Sequence, residues 1–204
     1  MINLKISKYE KIGVDKYRIY LDNGEVIDTY DNVILANELL LKKEIDIDLY
    51  NKIINETNLE ENFIACKKYI DYRLRSIKEI KDYLKKKNIN DNDIEIIIDK
   101  LIDTKYLDDD NFCKCFIMDK LKFTNTGEYK IISELKRNEI SSDIIDKYYY
   151  LIDNDVMNDR IINLINKNKK TSKDMGKLRN KLYNNLVRLG YPIDLVISNL
   201  NRMF

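Results

Sequence analysis

From about residue 60 onward the chain repeats one apolar register every 51 positions, and no other feature limits its fold so tightly. Leu84, Leu135 and Leu186 share one position of the register. Ile80, Ile131 and Leu182 share a second, and Ile89, Ile140 and Tyr191 a third. Ile94, Ile145 and Val196 share a fourth, and Leu101, Ile152 and Met203 a fifth. The three stretches around them read IKDYLKKKNINDNDI, IISELKRNEISSDII and LYNNLVRLGYPIDLV. Each is a helix that ends in a short polar turn, followed by a helix starting at Asp, Ser or Pro, residues suited to helix starts. A further apolar-striped segment lies between these pairs, over 62–74, 111–121 and 158–167.

The unit is therefore three helices, present three times. No single triplet can bury its own faces, so stacked copies are expected to form an elongated, curved array. The expected divisions are 59–107, 108–153 and 154–204. Five glycines and one proline, Pro192, agree with long uninterrupted helices.

Ahead of the repeats, residues 1–58 read as a separate small unit. Ile2, Leu4 and Ile6 alternate with polar residues, as do Tyr17, Ile19 and Leu21, which marks strands with one buried face. Asn23-Gly24, between KYRIYLD and EVIDT, is a hairpin signal with both turn positions at positive φ. A three-stranded sheet is expected, followed by helices over 31–41 and 46–57. The fold class is thus mainly α with an N-terminal sheet.

Histidine is absent, which removes histidine-dependent acid–base and nucleophilic mechanisms and the commonest zinc ligand. No phosphate-cradling glycine loop and no CxxC occurs. Three cysteines, Cys66, Cys113 and Cys115, point to a reducing cytoplasm rather than a disulfide framework. No run of apolar residues is long enough for a bilayer. Asp108, Asp109 and Asp110 precede a helix and are expected to cap it rather than to bind a metal. Neither catalysis nor a cofactor is expected.

Several motifs together resemble the RecX family, bacterial regulators of the RecA recombinase. They are YIDYRLRSIKEIKDYLKKKNIN (69–90), KYLDDDNF (105–112), EYKIISELKRNEIS (128–141) and the terminal NLNRMF. The glycine usual in the family before the first two inter-helix turns is Asn88 and Glu139 here, while Gly190 keeps it in the third. Glu139 suits a left-handed backbone poorly, so a different turn is expected there. The resemblance implies a non-enzymatic protein that binds the RecA filament on single-stranded DNA. It would limit filament extension, strand exchange and co-protease activity.

Net charge is +1, so attraction to nucleic acid must come from local clusters. Lys78, Lys81 and Lys85 form a helical stripe, and residues 166–181 hold a second cluster. The expected binding face comprises Arg73, Arg75, Lys78, Lys81, Lys85, Lys86, Arg137, Lys167, Lys170, Lys173 and Lys177. Arg73 and Arg75 match family positions and can form bidentate contacts. The expected partners are the RecA filament and, weakly, single-stranded DNA, with no membrane and a monomeric chain. An independent helix-turn-helix DNA binder and a helical adaptor for another protein are the rival readings.

Overall fold

Among the described residues of the computed structural model, 4–171 and 174–204, secondary structure follows the expected order with a few informative departures. Strands β1 (Leu4–Lys11), β2 (Lys16–Leu21) and β3 (Val26–Tyr30) are joined by a further two-residue strand, β4 (Glu44–Ile45). The sheet is antiparallel in the order β3-β2-β1-β4, so it has four strands rather than three. β4 pairs only Leu4 with Ile45 and Lys5 with Glu44. Two residues are too few to carry an alternating pattern, which is why the sequence did not announce it.

The hairpin between β2 and β3 also differs in detail. Gly24 takes a φ of +88°, but Asn23 does not enter the positive region. The Gly24 amide donates to Leu21 O (3.1 Å) and the Leu21 amide to Glu25 O (2.9 Å). That pattern is a three-residue loop with its glycine at the left-handed position, not a two-residue turn. Ile19, Leu21 and Ile27 pack beneath it with Val33, Ile34, Leu39, Ile45 and Ile53.

The expected helix over 31–41 is shorter, because α1 (Asp31–Ala36) ends at a left-handed Glu38. The expected helix over 46–57 is much longer. Asp46 caps α2 (Ile47–Tyr72) by accepting from the Leu49 amide, and the helix runs on without interruption into the segment read as the first helix of the repeats. No glycine or proline lies between residues 46 and 72 to stop it. Ile53, Thr57, Phe63, Cys66 and Ile70 form its buried stripe. The Thr57 hydroxyl meets that of Thr29 on β3 at 2.6 Å.

The remaining helices are α3 (Ile77–Lys86), α4 (Asp91–Asp103), α5 (Asp109–Phe123), α6 (Glu128–Arg137), α7 (Ser142–Lys147), α8 (Asn154–Lys169), α9 (Met175–Leu189) and α10 (Ile193–Met203). A 3-10 turn at Tyr149–Leu151 follows α7, so the third helix of the second triplet is broken at Tyr148. The chain divides into two compact units. One holds residues 1–73 with 83–106, the other 74–82 with 107–204. The core of the second unit gathers Phe112, Ile117, Ile131, Leu135, Ile161, Leu182, Leu186 and Val196, among others.

The 51-residue register is visible as burial and as backbone. Leu84, Leu135 and Leu186 are each fully buried, as are Ile80 and Ile131, with Leu182 nearly so. At the end of each middle helix one residue turns left-handed: Asn88 (φ 60°), Glu139 (φ 59°) and Gly190 (φ 90°). The following amides, of Ile89, Ile140 and Tyr191, donate back to the carbonyls of Leu84, Leu135 and Leu186 at 3.3, 3.2 and 3.2 Å. This pair of features is the helix-ending motif normally built with glycine. The expectation of a different turn at Glu139 is thus corrected: Glu139 accepts the strained conformation because the turn is anchored on both sides by Leu135 and Ile140.

Gly127 and Gly190 serve a second purpose in the last two triplets. The Gly127 amide donates to Leu189 O (2.8 Å), and the Tyr129 amide to Gly190 O (2.9 Å). A Cβ on Gly127 would lie 2.5 Å from Tyr191 N, and one on Gly190 2.6 Å from the Lys130 Cβ. Two predictions follow from these contacts. Glu139→Gly relieves the left-handed strain at the loss of only a long, exposed ion pair to Lys78; denaturant titration should show a gain of about 0.5–1 kcal/mol. Gly127→Ala forces backbone apart and should cost about 1–3 kcal/mol in the same measurement.

Candidate functional site

The expected cationic face is divided by the structure into residues that are engaged within the chain and residues that are exposed. Arg75 is buried, and its Nη1 lies 3.4 Å from Glu79 one helical turn on. Its role is to hold the start of α3, where Glu79 also accepts from the Ser76 amide (3.3 Å) and Ser76 Oγ accepts from the Glu79 amide (3.2 Å). That reciprocal arrangement is a capping box. Lys78 is half-buried, donates to Asp82 at 2.5 Å, and lies 3.8 Å from Glu139. Asp82 first, and Glu139 more weakly, hold its pKa above the ordinary lysine value.

Lys81 is half-buried and also engaged. Lys85 is exposed with Asp91 at 3.6 Å, and Lys177 is exposed beside Asp174 at 3.5 Å. Arg73, Lys86, Arg137, Lys167 and Lys170 are exposed. Lys173 lies outside the described residues. The lysine stripe of α3 is therefore largely neutralised by its own acidic neighbours, while Lys86, Arg137, Lys167 and Lys170 have no acidic partner within reach among the described residues.

The three aspartates have three separate structural tasks. Asp108 caps α5 by accepting from the Asn111 amide (3.0 Å). Asp109 accepts from the Ile77 amide at 2.9 Å, so it closes the first turn of a different helix, α3. Asp110 accepts from Lys147 (2.7 Å) and from the Tyr148 hydroxyl (2.6 Å). Burial pushes the Asp109 carboxyl up, against the lowering effect of the Ile77 amide. Hydrogen bonds from Lys147 and Tyr148 pull Asp110 down. Among the described residues no cluster of three or more acidic or cysteine side chains could hold a metal ion. Burial pushes the Cys66 and Cys113 thiols up to about 11, which leaves them protonated and unreactive at neutral pH.

Sequence reasoning gave no weight to Arg160, the one arginine of α8. The fold places it where its Nη1 and Nη2 donate to Leu121 O (2.6 Å) and Thr124 O (2.7 Å), at the carboxyl end of α5. It lines a cavity of about 220 Å³ with Asn125, Asn163, Leu164, Lys167 and Tyr191. Only tertiary structure assembles this set, since its members come from a loop, a helix and a turn. Among the described residues no helix is long and apolar enough to cross a membrane.

Comparison with known proteins gives a consistent result. The model of the RecX first three-helix domain matches residues 64–101. The Regulatory protein RecX of Clostridium tetani is 29% identical over 212 residues, covering 98% of this chain and 95% of that protein. That of Bacillus velezensis is 28% identical over 201 residues, 97% of this chain and 76% of the relative. That of Lactobacillus johnsonii is 29% identical over 151 residues, 74% of this chain but only 55% of the relative's length. A crystal structure described as regulatory protein RecX superposes with a TM-score of 0.78 at 20% identity, over 94% of this chain and 96% of that one. RecX from Lactobacillus salivarius gives 0.61 at 23% identity, over 71% of this chain and 97% of that one. At these identities the two structures establish a shared fold.

The opposed shifts of the neighbouring aspartates give a pH-dependent prediction. Asp109 is raised above its ordinary 3.8, so its ionised form destabilises the fold above its folded-state pKa, and the penalty vanishes as pH falls below 3.8. Asp109→Asn keeps an acceptor for the Ile77 amide and removes the buried charge. It should therefore be at least as stable as the parent at pH 7, with the advantage disappearing in acid. Asp109→Ala leaves that amide without its acceptor and should lose about 1–2 kcal/mol in urea titrations. Asp110 behaves oppositely, contributing stability above pH 3.8 that is lost as pH falls through its lowered pKa.

Proposed function

Since the chain belongs to the RecX family, we propose that it is a cytoplasmic, monomeric regulator of a RecA recombinase, acting by binding and not by catalysis. The partner is the filament that RecA forms on single-stranded DNA. Occupation of that filament limits its extension and with it strand exchange and co-protease activity. The observation that carries this reading is the likeness to proteins named regulatory protein RecX across nearly the whole chain, 97% of it in one relative and 98% in another.

The chemistry of the molecule is compatible with this role. Burial keeps the Cys66 and Cys113 thiols protonated, the chain has no histidine, and Asp108 and Asp109 are engaged at helix starts. Its triplets, taken as 59–107, 108–153 and 154–204 after a leading unit of 1–58, offer repeated surfaces to a repeated partner. Individually weak contacts to such a partner gain through avidity. A net charge of +1 keeps affinity for naked DNA low, so discrimination in favour of the filament comes from protein contacts. Contact residues are sought among the exposed cations Arg73, Lys86, Arg137, Lys167 and Lys170, with Lys85 and Lys177 at their margins. Arg75 and Lys78 support the position of α3.

The test is co-sedimentation with RecA–single-stranded DNA filaments together with RecA ATPase rates and filament lengths. The parent chain is expected to bind filaments, slow the ATPase and shorten filaments. Combined Lys86→Glu and Arg137→Glu should raise the concentration needed by about tenfold while leaving the melting temperature within a few degrees. Tight binding to naked duplex DNA with indifference to filaments overturns the reading in favour of an independent DNA-binding protein.

A further inference from the structure

The ends of α2 and α3 carry aromatic rings and ammonium groups that the fold uses only in part. Tyr69 of α2 and Tyr83 of α3 stack with ring centroids 4.5 Å apart and planes 15° from parallel. Lys87 lies over the Tyr83 ring, 4.8 Å from its centroid. Tyr72, one turn beyond Tyr69 on the same face of α2, is left out of this stack. It is 86% exposed, and neither its ring nor its hydroxyl has a partner among the described residues. Lys68 stands four residues before Tyr72, and Lys86 three residues after Tyr83. Lys68, Lys86 and Lys87 are exposed, and none is paired with a carboxylate among the described residues. Asp71, the nearest carboxylate along the chain, lies about 100° round the helix from Tyr72. All of these residues belong to the same compact unit.

We propose that Tyr72 is a stacking platform for one unpaired base of single-stranded DNA, with Lys68 and Lys86 taking neighbouring phosphates, an assignment that rests on the filament reading above. The chemistry of the patch decides the ligand. A phenol face stacks on any base and an ammonium pairs with any phosphate, so a surface holding both follows a strand without reading its sequence. The base must be unpaired, because in a duplex its two faces are covered by its neighbours. Lys68 and Tyr72, at i and i+4, have their Cβ atoms about 6 Å apart, so the ammonium can reach a phosphate of the nucleotide stacked on the ring. A cationic peptide is repelled by the three lysines. An acidic peptide engages the lysines and leaves the ring in water.

The closed stack beside Tyr72 supplies rigidity. Tyr69 against Tyr83 ties the last turns of α2 to α3, and Cys66 and Ile70 anchor the same turns in the core. The backbone under Tyr72 is therefore fixed before a strand arrives, and a tyrosine has only two side-chain angles left to order. Lys86 lies in the last turn of α3, where the helix dipole favours a cation, so it stays there without a carboxylate to hold it.

The experiment measures binding of the full chain to a fluorescent oligo(dT) at low ionic strength. Tyr72→Ala should weaken binding by about fivefold or more, the loss of one base stack, and Tyr72→Phe should remain within about twofold because stacking does not use the hydroxyl. Tyr150→Ala, at another exposed tyrosine, should also remain within about twofold of the parent. A strand of abasic sites, which keeps the phosphates and lacks the bases, should bind the parent and Tyr72→Ala alike. Lys68→Ala and Lys86→Ala should each reduce the slope of log affinity against log salt by about 0.7, one phosphate on a single strand, and Tyr72→Ala should leave that slope unchanged. Tyr72→Ala that binds oligo(dT) as the parent does, or that is weakened equally on the abasic strand, overturns the platform. If poly-glutamate binds the parent as tightly as oligo(dT) and Tyr72→Ala weakens both equally, the patch docks an acidic protein and the nucleic-acid assignment falls. If the chain ignores RecA filaments while Tyr72→Ala still weakens binding to oligo(dT), the regulatory reading fails and the platform stands. If filaments are bound and shortened but Tyr72→Ala behaves as Tyr150→Ala on oligo(dT), the platform fails and the regulatory reading stands.

Discussion

The backbone hydrogen bond from the residue after each turn to a buried leucine carbonyl is the contact on which the repeats depend. Leu84, Leu135 and Leu186 each accept it, and each has its side chain in the core. One residue thus anchors the packing of its helix and fixes the place where that helix stops. The stop sets the direction of the next helix, which is capped by Asn90, Ser141 or begun after Pro192. Because the motif needs one left-handed residue, the chain uses asparagine, glutamate and glycine at equivalent places. The second of these is a poor choice locally, and its persistence shows tertiary packing overriding backbone preference.

The acidic residues are best understood as the counterpart of this helical economy. A chain of many short helices has many helix starts, each with unpaired amides. Asp46, Asn90, Asp108, Ser141, Asp153 and Asp174 each accept from an amide in the first turn of the helix they precede. Asp109 does the same for α3 across the fold. Carboxylates so placed are spent on structure, and those near lysines also quench surface charge.

Sequence and structure agree where periodicity is long and differ where it is short. The five-position register appears as buried side chains because burial every three or four residues leaves a signal over fifteen positions. β4 was invisible because two residues have no period, and the break of α7 at Tyr148 because DIIDKYYYL continues a helical pattern through it. The fusion of two expected helices into α2 reflects a missing stop signal, since no glycine or proline interrupts residues 46–72. For the cationic face, sequence places Lys78 on α3 with Asp82 one turn on, at i+4, but could not show that Glu139 would also close on Lys78. Glu139 is remote in sequence, and only the left-handed turn brings it there.

The same limit explains Arg160. Counting basic residues along the chain favours clusters and passes over a lone arginine. Arg160 shares α8 with Asp155 and Asp159, yet its terminal nitrogens turn to backbone carbonyls. Its guanidinium is held by carbonyl oxygens, which accept hydrogen bonds but do not cancel its charge. A cation kept in this way retains its field while losing its freedom to move.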